Sequence, residues 1–296
     1  TCESHEKGIY ETTDGDGTSY YYRGSVENNY VKFGGYYWRI IRINGNGSIR
    51  MIYDGTVAHD NGEASEDRYY SKTNYNSTAS DNMYVGYMYT SGQVHGTGTS
   101  SLIKTSNDNF YKDKLINYAN YIDTNTGFCG DRSVISSNTG TGTGSNYTLY
   151  GGYERLLKSQ PSLKCESTSD YYTVNGSNKG NKALSYPVGL VTMDEVMYAG
   201  YSGSYSNGGY VLTAPNINSY INIGFNFYTM TPIGFLWPTN WTNGSYAMIY
   251  YIDARAINDV DPQTHYSFGL RPVINLKSTL GVNGSGTKNN PFIFTA

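Results

Sequence analysis

The chain has 296 residues, a formal net charge of −3 and only 15% charged residues. That length suits one large domain or two ordinary ones. The sequence has no basic stripe, which argues against a nucleic-acid-binding protein. It also has no apolar run as long as a membrane span, so we expect none in this chain. Tyr supplies 33 residues, and because Tyr rings pack as apolar bodies, they can build a sizeable core.

The N-terminal stretch carries "TTDGDGTSYYYRG" at 12–24. Its "DGDG" is similar to the start of an EF-hand calcium loop, but the twelfth position of that loop needs a carboxylate and holds Ser25 here. We therefore predict a turn that leads into a Tyr-rich strand. Residues 1–24 are assigned to an N-terminal extension or strand, and 25–296 to a single domain with long insertions.

Residues 36–55 give the clearest local pattern. "YYWRIIRI" and "SIRMIYDG" are typical of strands, and the "NGNG" between them predicts a hairpin, since Asn and Gly accept positive φ. The expected core residues are Trp38, Ile40, Ile43, Ile49, Met51 and Ile52. The arginines Arg39, Arg42 and Arg50 form either a basic patch or an ordinary solvent-facing row, and we favour the solvent-facing row.

Two helices are expected among many short strands, which together predict an α+β fold. The first covers 106–122, capped by Ser106 or Asn107. Its apolar residues fall on one face at helical spacing, namely Tyr111, Leu115, Tyr118, Ala119 and Ile122.

The second helix lies within "YPVGLVTMDEVMYAG" at 186–200. Thr192 and Glu195 have the spacing of a capping box, and Gly200 is the expected C-cap. Asp194 and Glu195 are interpreted as ordinary acidic residues of a helix N-terminus.

Three cysteines are present: Cys2, Cys129 and Cys165. Cys129 and Cys165 are either free thiols of a cytosolic protein or a disulfide, which would be worth roughly 4 kcal/mol of loop entropy. We favour the disulfide, because low charge and abundant Tyr, Asn, Ser, Thr and Gly are typical of extracellular or surface-attached proteins. Cys2 is left without an assigned partner, and the start at Thr1 is interpreted as processing or trimming.

Five stretches carry a resemblance to a known family. In chain order they are "YYWRIIRINGNGSIRMIYDG", "FCGDRS", "YPVGLVTMDEVMYAG", "YTMTP" and "GLRPVINLK…NGSGTKNNPF". Together they resemble secreted or surface-attached modules of low-GC Gram-positive bacteria. The overall pattern is similar to the C-type-lectin-like fold, which formylglycine-generating enzymes and retroelement-diversified receptor-binding proteins share.

The resemblance implies short antiparallel strands, paired N- and C-terminal strands, two flanking helices and long irregular loops that display the binding surface. "YTMTP" would be a framework strand and "GLRPVINL" the closing strand. The sequence departs from the calcium-dependent sugar-binding motifs, with "DPQ" at 261–263 and "WTN" at 241–243. Its last cysteine is Cys165, so formylglycine-generating activity is not implied.

Residues 226–277 are crowded with Tyr, Trp and Asn and nearly free of charge until the last strand. Tyr and Trp give large contact areas at small rotamer cost, and Asn adapts its hydrogen bonds. Under the resemblance this region is a contact surface, whereas the alternative for every residue is core or framework packing. The predicted contact residues are Tyr220, Phe235, Trp237, Asn240, Trp241, Asn243, Tyr246, Tyr250, Tyr251 and His265, with Trp237 and Trp241 the most exposed.

We expect no enzyme, no cofactor and no metal. The four histidines are not in a recognisable catalytic setting and lack zinc-ligand spacing. The first hypothesis is an adhesin-like module that binds a protein or glycan on another surface. The second is a subunit of a surface filament that binds copies of itself, and the third is a glycan-active hydrolase with two facing carboxylates.

Overall fold

The computed structural model describes residues 7–136, 138–144, 147–206, 209–213, 218–236, 244–252 and 263–295. The fold is mixed α+β with mostly antiparallel sheets, as expected. The helices are α1 (Leu102–Phe110), α2 (Gly151–Leu157) and α3 (Met193–Tyr198). The strands are β1 (Gly8–Asp14), β2 (Gly17–Arg23), β3 (Tyr30–Phe33), β4 (Tyr36–Ile43), β5 (Ile49–Gly55), β6 (Ser71–Asn74), β7 (Met88–Tyr89), β8 (Thr99–Ser100), β9 (Phe128–Cys129), β10 (Thr148–Leu149), β11 (Tyr171–Tyr172), β12 (Ser202–Ser206), β13 (Gly209–Thr213), β14 (Phe227–Leu236), β15 (Tyr246–Ile252), β16 (Ser267–Leu270), β17 (Val273–Leu276), β18 (Gly281–Asn283) and β19 (Ile293–Thr295).

Two sheets organise the molecule. The first has the order β1-β2-β4-β5-β17, with β3 also paired to β4. The second has the order β10-β14-β16-β6, with β15 also paired to β14. Helix α3 packs against β2 of the first sheet and β14 of the second. Of the residues predicted as an N-terminal extension, those at 8–14 and 17–23 form β1 and β2, and β1 is an edge of the first sheet.

The predicted hairpin is confirmed as β4 and β5. Its turn is closed by the Asn44 amide, which donates to the Ser48 carbonyl at 2.8 Å, and Gly47 has a φ of 82° that suits glycine. The solvent-facing interpretation of its arginines is wrong, since Arg39, Arg42 and Arg50 are all buried. Both faces of the hairpin are covered, so polar side chains that alternate with the apolar ones also point into the protein.

The first predicted helix begins earlier than expected. Ser101, and not Ser106 or Asn107, caps α1 by accepting the Lys104 amide at 3.2 Å. Beyond Phe110 the chain continues as a π-turn at Tyr111–Leu115 and a 3₁₀ turn at Ile116–Tyr121. Because this geometry departs from 3.6 residues per turn, the predicted face breaks at Tyr118, which is exposed.

The predicted closing strand is interrupted. Arg271 and Pro272 separate β16, in the second sheet, from β17, in the first. Proline has no amide hydrogen to donate to a ladder, and its carbonyl instead accepts the Tyr53 amide at 2.9 Å. The strand predicted from "YTMTP" is confirmed within β14.

The capping box of α3 is confirmed. The Thr192 hydroxyl accepts the Glu195 amide at 3.1 Å, and the Glu195 carboxylate accepts the Thr192 amide at 2.9 Å. Gly200 follows the helix with a φ of 114°, which agrees with its predicted capping role.

Replacing Thr192 by Ala is therefore expected to lower the free energy of unfolding by about 1 kcal/mol, because the cap hydroxyl is lost. Urea unfolding followed by intrinsic fluorescence measures this change. The matched control is Thr279→Ala, at an exposed position outside the helices and strands. Equal stability of the two variants would contradict the role of the cap.

Candidate functional site

A cleft of about 590 Å³ lies where the β1–β2 turn, α2, α3 and the segment 162–168 meet. Its volume falls in the range of small-molecule sites. The cleft is lined by charged side chains, which lie on its floor or on its rim. They are Asp14, Asp16, Arg42, Arg50, Asp131, Arg155, Lys164, Lys179, Lys182, Asp194 and Glu195.

Glu195 forms the centre of the floor. Its Oε1 lies 3.0 Å from Arg42 Nε and 2.5 Å from Arg50 Nε. Burial alone would raise the pKa of this carboxyl, but Arg50 and Arg42 outweigh it and hold the pKa of Glu195 below its ordinary value. Glu195 is therefore an ionised counter-charge for two buried guanidinium groups.

Arg155, on α2, joins two further carboxylates. Its Nε and Nη2 donate to the two oxygens of Asp194 at 2.7 and 3.0 Å, and its Nη1 donates to Asp131 Oδ2 at 2.6 Å. Burial favours the neutral form, yet these carboxylates raise the pKa of Arg155 above its ordinary value. The bidentate geometry fixes α2 against the start of α3.

Asp14 ends β1 and brings the first turn of the chain into the site. Its Oδ2 accepts Arg42 Nη1 at 2.8 Å and the Gly45 amide at 2.9 Å. Its Oδ1 accepts the Asp16 amide at 2.8 Å, which closes the β1–β2 turn. The "DGDG" stretch is therefore the turn that the sequence predicts, and its first carboxylate pairs with a buried arginine.

The four floor carboxylates, Asp14, Asp131, Asp194 and Glu195, leave no oxygen unused. The one oxygen not yet described, Asp131 Oδ1, accepts the Ser133 amide at 3.0 Å. Among the described residues no group of three or more His, Cys, Asp or Glu side chains could hold a metal ion. The floor is a connected network in which four carboxylates pair with the three guanidinium groups of Arg42, Arg50 and Arg155.

The rim carries the predicted disulfide, which is confirmed. Cys129 and Cys165 are bonded with a Cα–Cα distance of 5.6 Å. The bond ties the wall at 162–168 to β9. Lys179 on the rim pairs with Asp16, while Lys164 and Lys182 are exposed.

The predicted contact set is divided by burial. Tyr220, Phe235 and Tyr250 are 0%, 0% and 2% exposed, so they belong to the core, and their assignment to a displayed surface is corrected. Phe235 and Tyr250 lie on β14 and β15, whose residues pack into the core on both faces.

Of the remaining predicted contacts, Tyr246, Tyr251 and His265 are half-buried. They do not line the cleft. Trp237, Asn240, Trp241 and Asn243 lie outside the described residues.

Sequence reasoning missed the cleft. The sequence analysis interprets Asp194 and Glu195 as ordinary helix-terminal charges, whereas both side chains are buried and held in ion pairs. The sequence analysis assigns no role to Arg155 or to the stretch "GGYERLL" that contains it. The structure requires the two glycines at the start of this stretch. A Cβ at Gly151 would lie 2.7 Å from Asp131 Oδ2, and a Cβ at Gly152 would lie 2.4 Å from Thr231 Cγ2.

In the part of the chain that the structure describes, no helix is both long and apolar enough for a membrane crossing. No family model, no curated protein and no solved structure matches the chain.

Proposed function

We propose that the protein is an extracellular binding module that takes a polar segment of a glycan or protein ligand into the charged cleft. The observation that carries this proposal is a pre-formed cleft whose floor is held by carboxylate–arginine pairs. A site that is rigid before binding loses little conformational entropy when the ligand enters. The disulfide on its rim favours an oxidising, extracellular compartment.

A C-type-lectin-like architecture remains part of this proposal. The pairing of the early strand β5 with the late strand β17, from Ile49↔Leu276 to Ile52↔Val273, supports it, whereas β1 pairs with β2 and β19 with β18. Helices α1 and α3 pack on the sheets. The aromatic segment around Trp237 and Trp241, which lies outside the described residues, is then proposed as a second contact region.

The hydrolase alternative is less favoured by the chemistry of the cleft. A glycosidase needs a general acid whose pKa is raised so that it stays protonated. The pKa of Glu195 is lowered instead, and Asp131 and Asp194 are held by the Arg155 guanidinium. Glu195, held ionised in this way, serves as a counter-charge and is a poor proton donor.

The filament alternative would require a strand that docks into a neighbouring subunit. The first strand, β1, is already paired with β2 of its own chain along all seven residues from Gly8↔Arg23 to Asp14↔Gly17. Light scattering with and without reductant tests this alternative, and we expect a monomer under both conditions. A polymer would support the filament.

The test of the proposed function is to fill the cleft. Glycan and peptide arrays first identify a ligand of the wild-type protein. Thr168 is exposed and lines the cleft, so Thr168→Trp is expected to weaken binding of that ligand by about tenfold or more by steric exclusion. The matched control is Thr99→Trp, on exposed strand β8 away from the cleft.

Two outcomes would contradict this use of the cleft. If neither array yields a ligand, the binding function is wrong. If Thr168→Trp binds normally while Trp237→Ala with Trp241→Ala loses binding, the ligand occupies the aromatic segment and not the cleft.

A further inference from the structure

On the floor of the cleft, the side-chain hydrogen-bonding groups left free are donors, whereas the rim also holds Asp16, which pairs with Lys179 through Oδ1. The floor carboxylates already accept bonds from arginines and backbone amides at both oxygens, including Asp194 Oδ1 from the Ser162 amide at 2.9 Å. A ligand therefore finds few strong acceptors on the floor. Hydrogen-bond donors on the ligand would have to compete with ion pairs that are already made.

Arg42 offers a donor from the floor. Its side chain is 9% exposed, its Nε is used by Glu195 and its Nη1 by Asp14 and Ser19. Nη2 donates to no atom of the described residues and is not sealed from solvent. This nitrogen belongs to a guanidinium that its neighbours hold in place, and Arg42 lines the cleft.

Tyr171 offers a second donor. Its hydroxyl oxygen accepts the Gly127 amide at 2.8 Å, and within the described chain its own hydrogen has no acceptor. The residue lines the cleft and is half-buried. The bond from Gly127 orients the hydroxyl, so its hydrogen remains available for a ligand atom.

Lys182 adds positive charge and an unusual backbone. Its φ is 57°, in the left-handed region that costs free energy for a residue with a side chain. Glycine would adopt this positive φ at position 182 without strain. A lysine at such a position, exposed on the rim of a cleft, fits a role for its ammonium group in binding. Lys164 also lines the cleft, next in sequence to the disulfide cysteine Cys165.

We propose that the cleft binds an oxyanion-bearing ligand, with a phosphate or carboxylate group held by Arg42 Nη2, the Tyr171 hydroxyl and the ammonium groups of Lys164 and Lys182. The inference rests on the proposed function and specifies the ligand class of the same site. Guanidinium and ammonium donors suit such groups. Charge on the rim also steers an anionic ligand into the cleft.

The experiment uses the intact protein and isothermal titration calorimetry. Pentaglutamate and pentaglutamine differ in charge and little in shape, and tripolyphosphate separates a phosphate from a carboxylate ligand. We expect pentaglutamate or tripolyphosphate to bind and pentaglutamine not to bind. Affinity should fall as salt rises from about 50 to about 500 mM, since exposed ammonium groups are screened.

The variant Lys164→Ala with Lys182→Gly removes the rim charges and relieves the backbone strain at position 182. We expect it to weaken anion binding by about tenfold, because two exposed charge contacts are lost. The matched control, Lys112→Ala with Lys114→Ala, makes the same change in net charge at exposed positions outside the cleft. Tyr171→Phe tests the floor donor with little change in shape.

The failures are distinguishable. If the arrays yield a neutral ligand that Thr168→Trp blocks, and neither pentaglutamate nor tripolyphosphate binds, the binding function stands and the anionic ligand class is wrong. If the rim variant and the Lys112/Lys114 control lose affinity for the anion equally, binding depends on net charge alone, and the inference is overturned. No ligand on any array overturns the function and the inference together.

Discussion

Replacing Asp54 by Asn is expected to lower the free energy of unfolding by at least about 3–5 kcal/mol, the cost of breaking a buried ion pair from one side. Asp54 Oδ1 lies 2.9 Å from Arg68 Nη2 and 3.0 Å from Arg271 Nη2. Its Oδ2 lies 3.9 Å from Arg39 Nη1. All four side chains are fully buried, so a single carboxylate is shared by three guanidinium groups.

The asparagine variant would leave these three positive charges together in the interior. Backbone carbonyls accept from the arginines, such as Glu63 O from Arg68 at 2.7 Å and Ile221 O from Arg271 at 2.7 Å. The Arg39 guanidinium also lies 3.7 Å from the centroid of the Tyr30 ring. These contacts solvate the arginines in part, but they carry no negative charge.

Equilibrium urea unfolding measures the loss, with Asp113→Asn as the control at an exposed carboxylate. Adding Arg39→Met to Asp54→Asn removes one unbalanced charge and should recover part of the lost stability, a coupling that a double-mutant cycle detects. Equal stability of Asp54→Asn and Asp113→Asn would show that the charges are not sealed from water as described.

The local features of the fold could be predicted because each depends on neighbouring residues. "NGNG" specifies the turn between β4 and β5, and Thr192 with Glu195 specifies the start of α3. The disulfide followed from composition and the cysteine count. Short-range turn and cap chemistry is legible in one sequence because the partners are only a few positions apart.

The cleft could not be predicted, because its partners are far apart in the chain. Arg42 and Glu195 are separated by 153 positions, and nothing near "WRIIRI" indicates that a carboxylate will cover it. Alternation of polar and apolar residues along a strand predicts a solvent-exposed polar face only when that face of the sheet is left uncovered. Here both faces are covered, so the polar members of the pattern became the buried floor of the site.

The aromatic contact set fails in part for the same reason. Tyr and Phe serve equally well in a core and on a binding surface. Phe235 and Tyr250 are core residues because β14 and β15 pair with each other and are covered on both faces, and Tyr220 is buried in the segment that precedes β14. Composition identified the segment as unusual, but only the long-range strand pairing decides which rings are buried.

Replacing Glu195 by Gln is expected to cost about 3–5 kcal/mol near neutral pH, because Arg50 loses its only carboxylate partner among the described residues and Arg42 keeps only Asp14. The glutamine amide also brings donor hydrogens toward guanidinium groups that need an acceptor. Glu166→Gln, at an exposed position on the wall of the cleft, is the matched control.

The pH dependence of this difference gives the sharper test. The pKa of Glu195 is lower in the folded protein than its ordinary value of 4.5, so the carboxylate contributes its full stability above that value. The contribution is lost as pH falls through the folded-state pKa, where the carboxylate takes up a proton. The stability difference between wild type and Glu195→Gln should therefore be largest near pH ~7 and shrink as the pH is lowered below about 4.5. A difference that stays constant with pH would contradict the ionised state of Glu195, and with it the ion-paired floor on which the binding cleft depends.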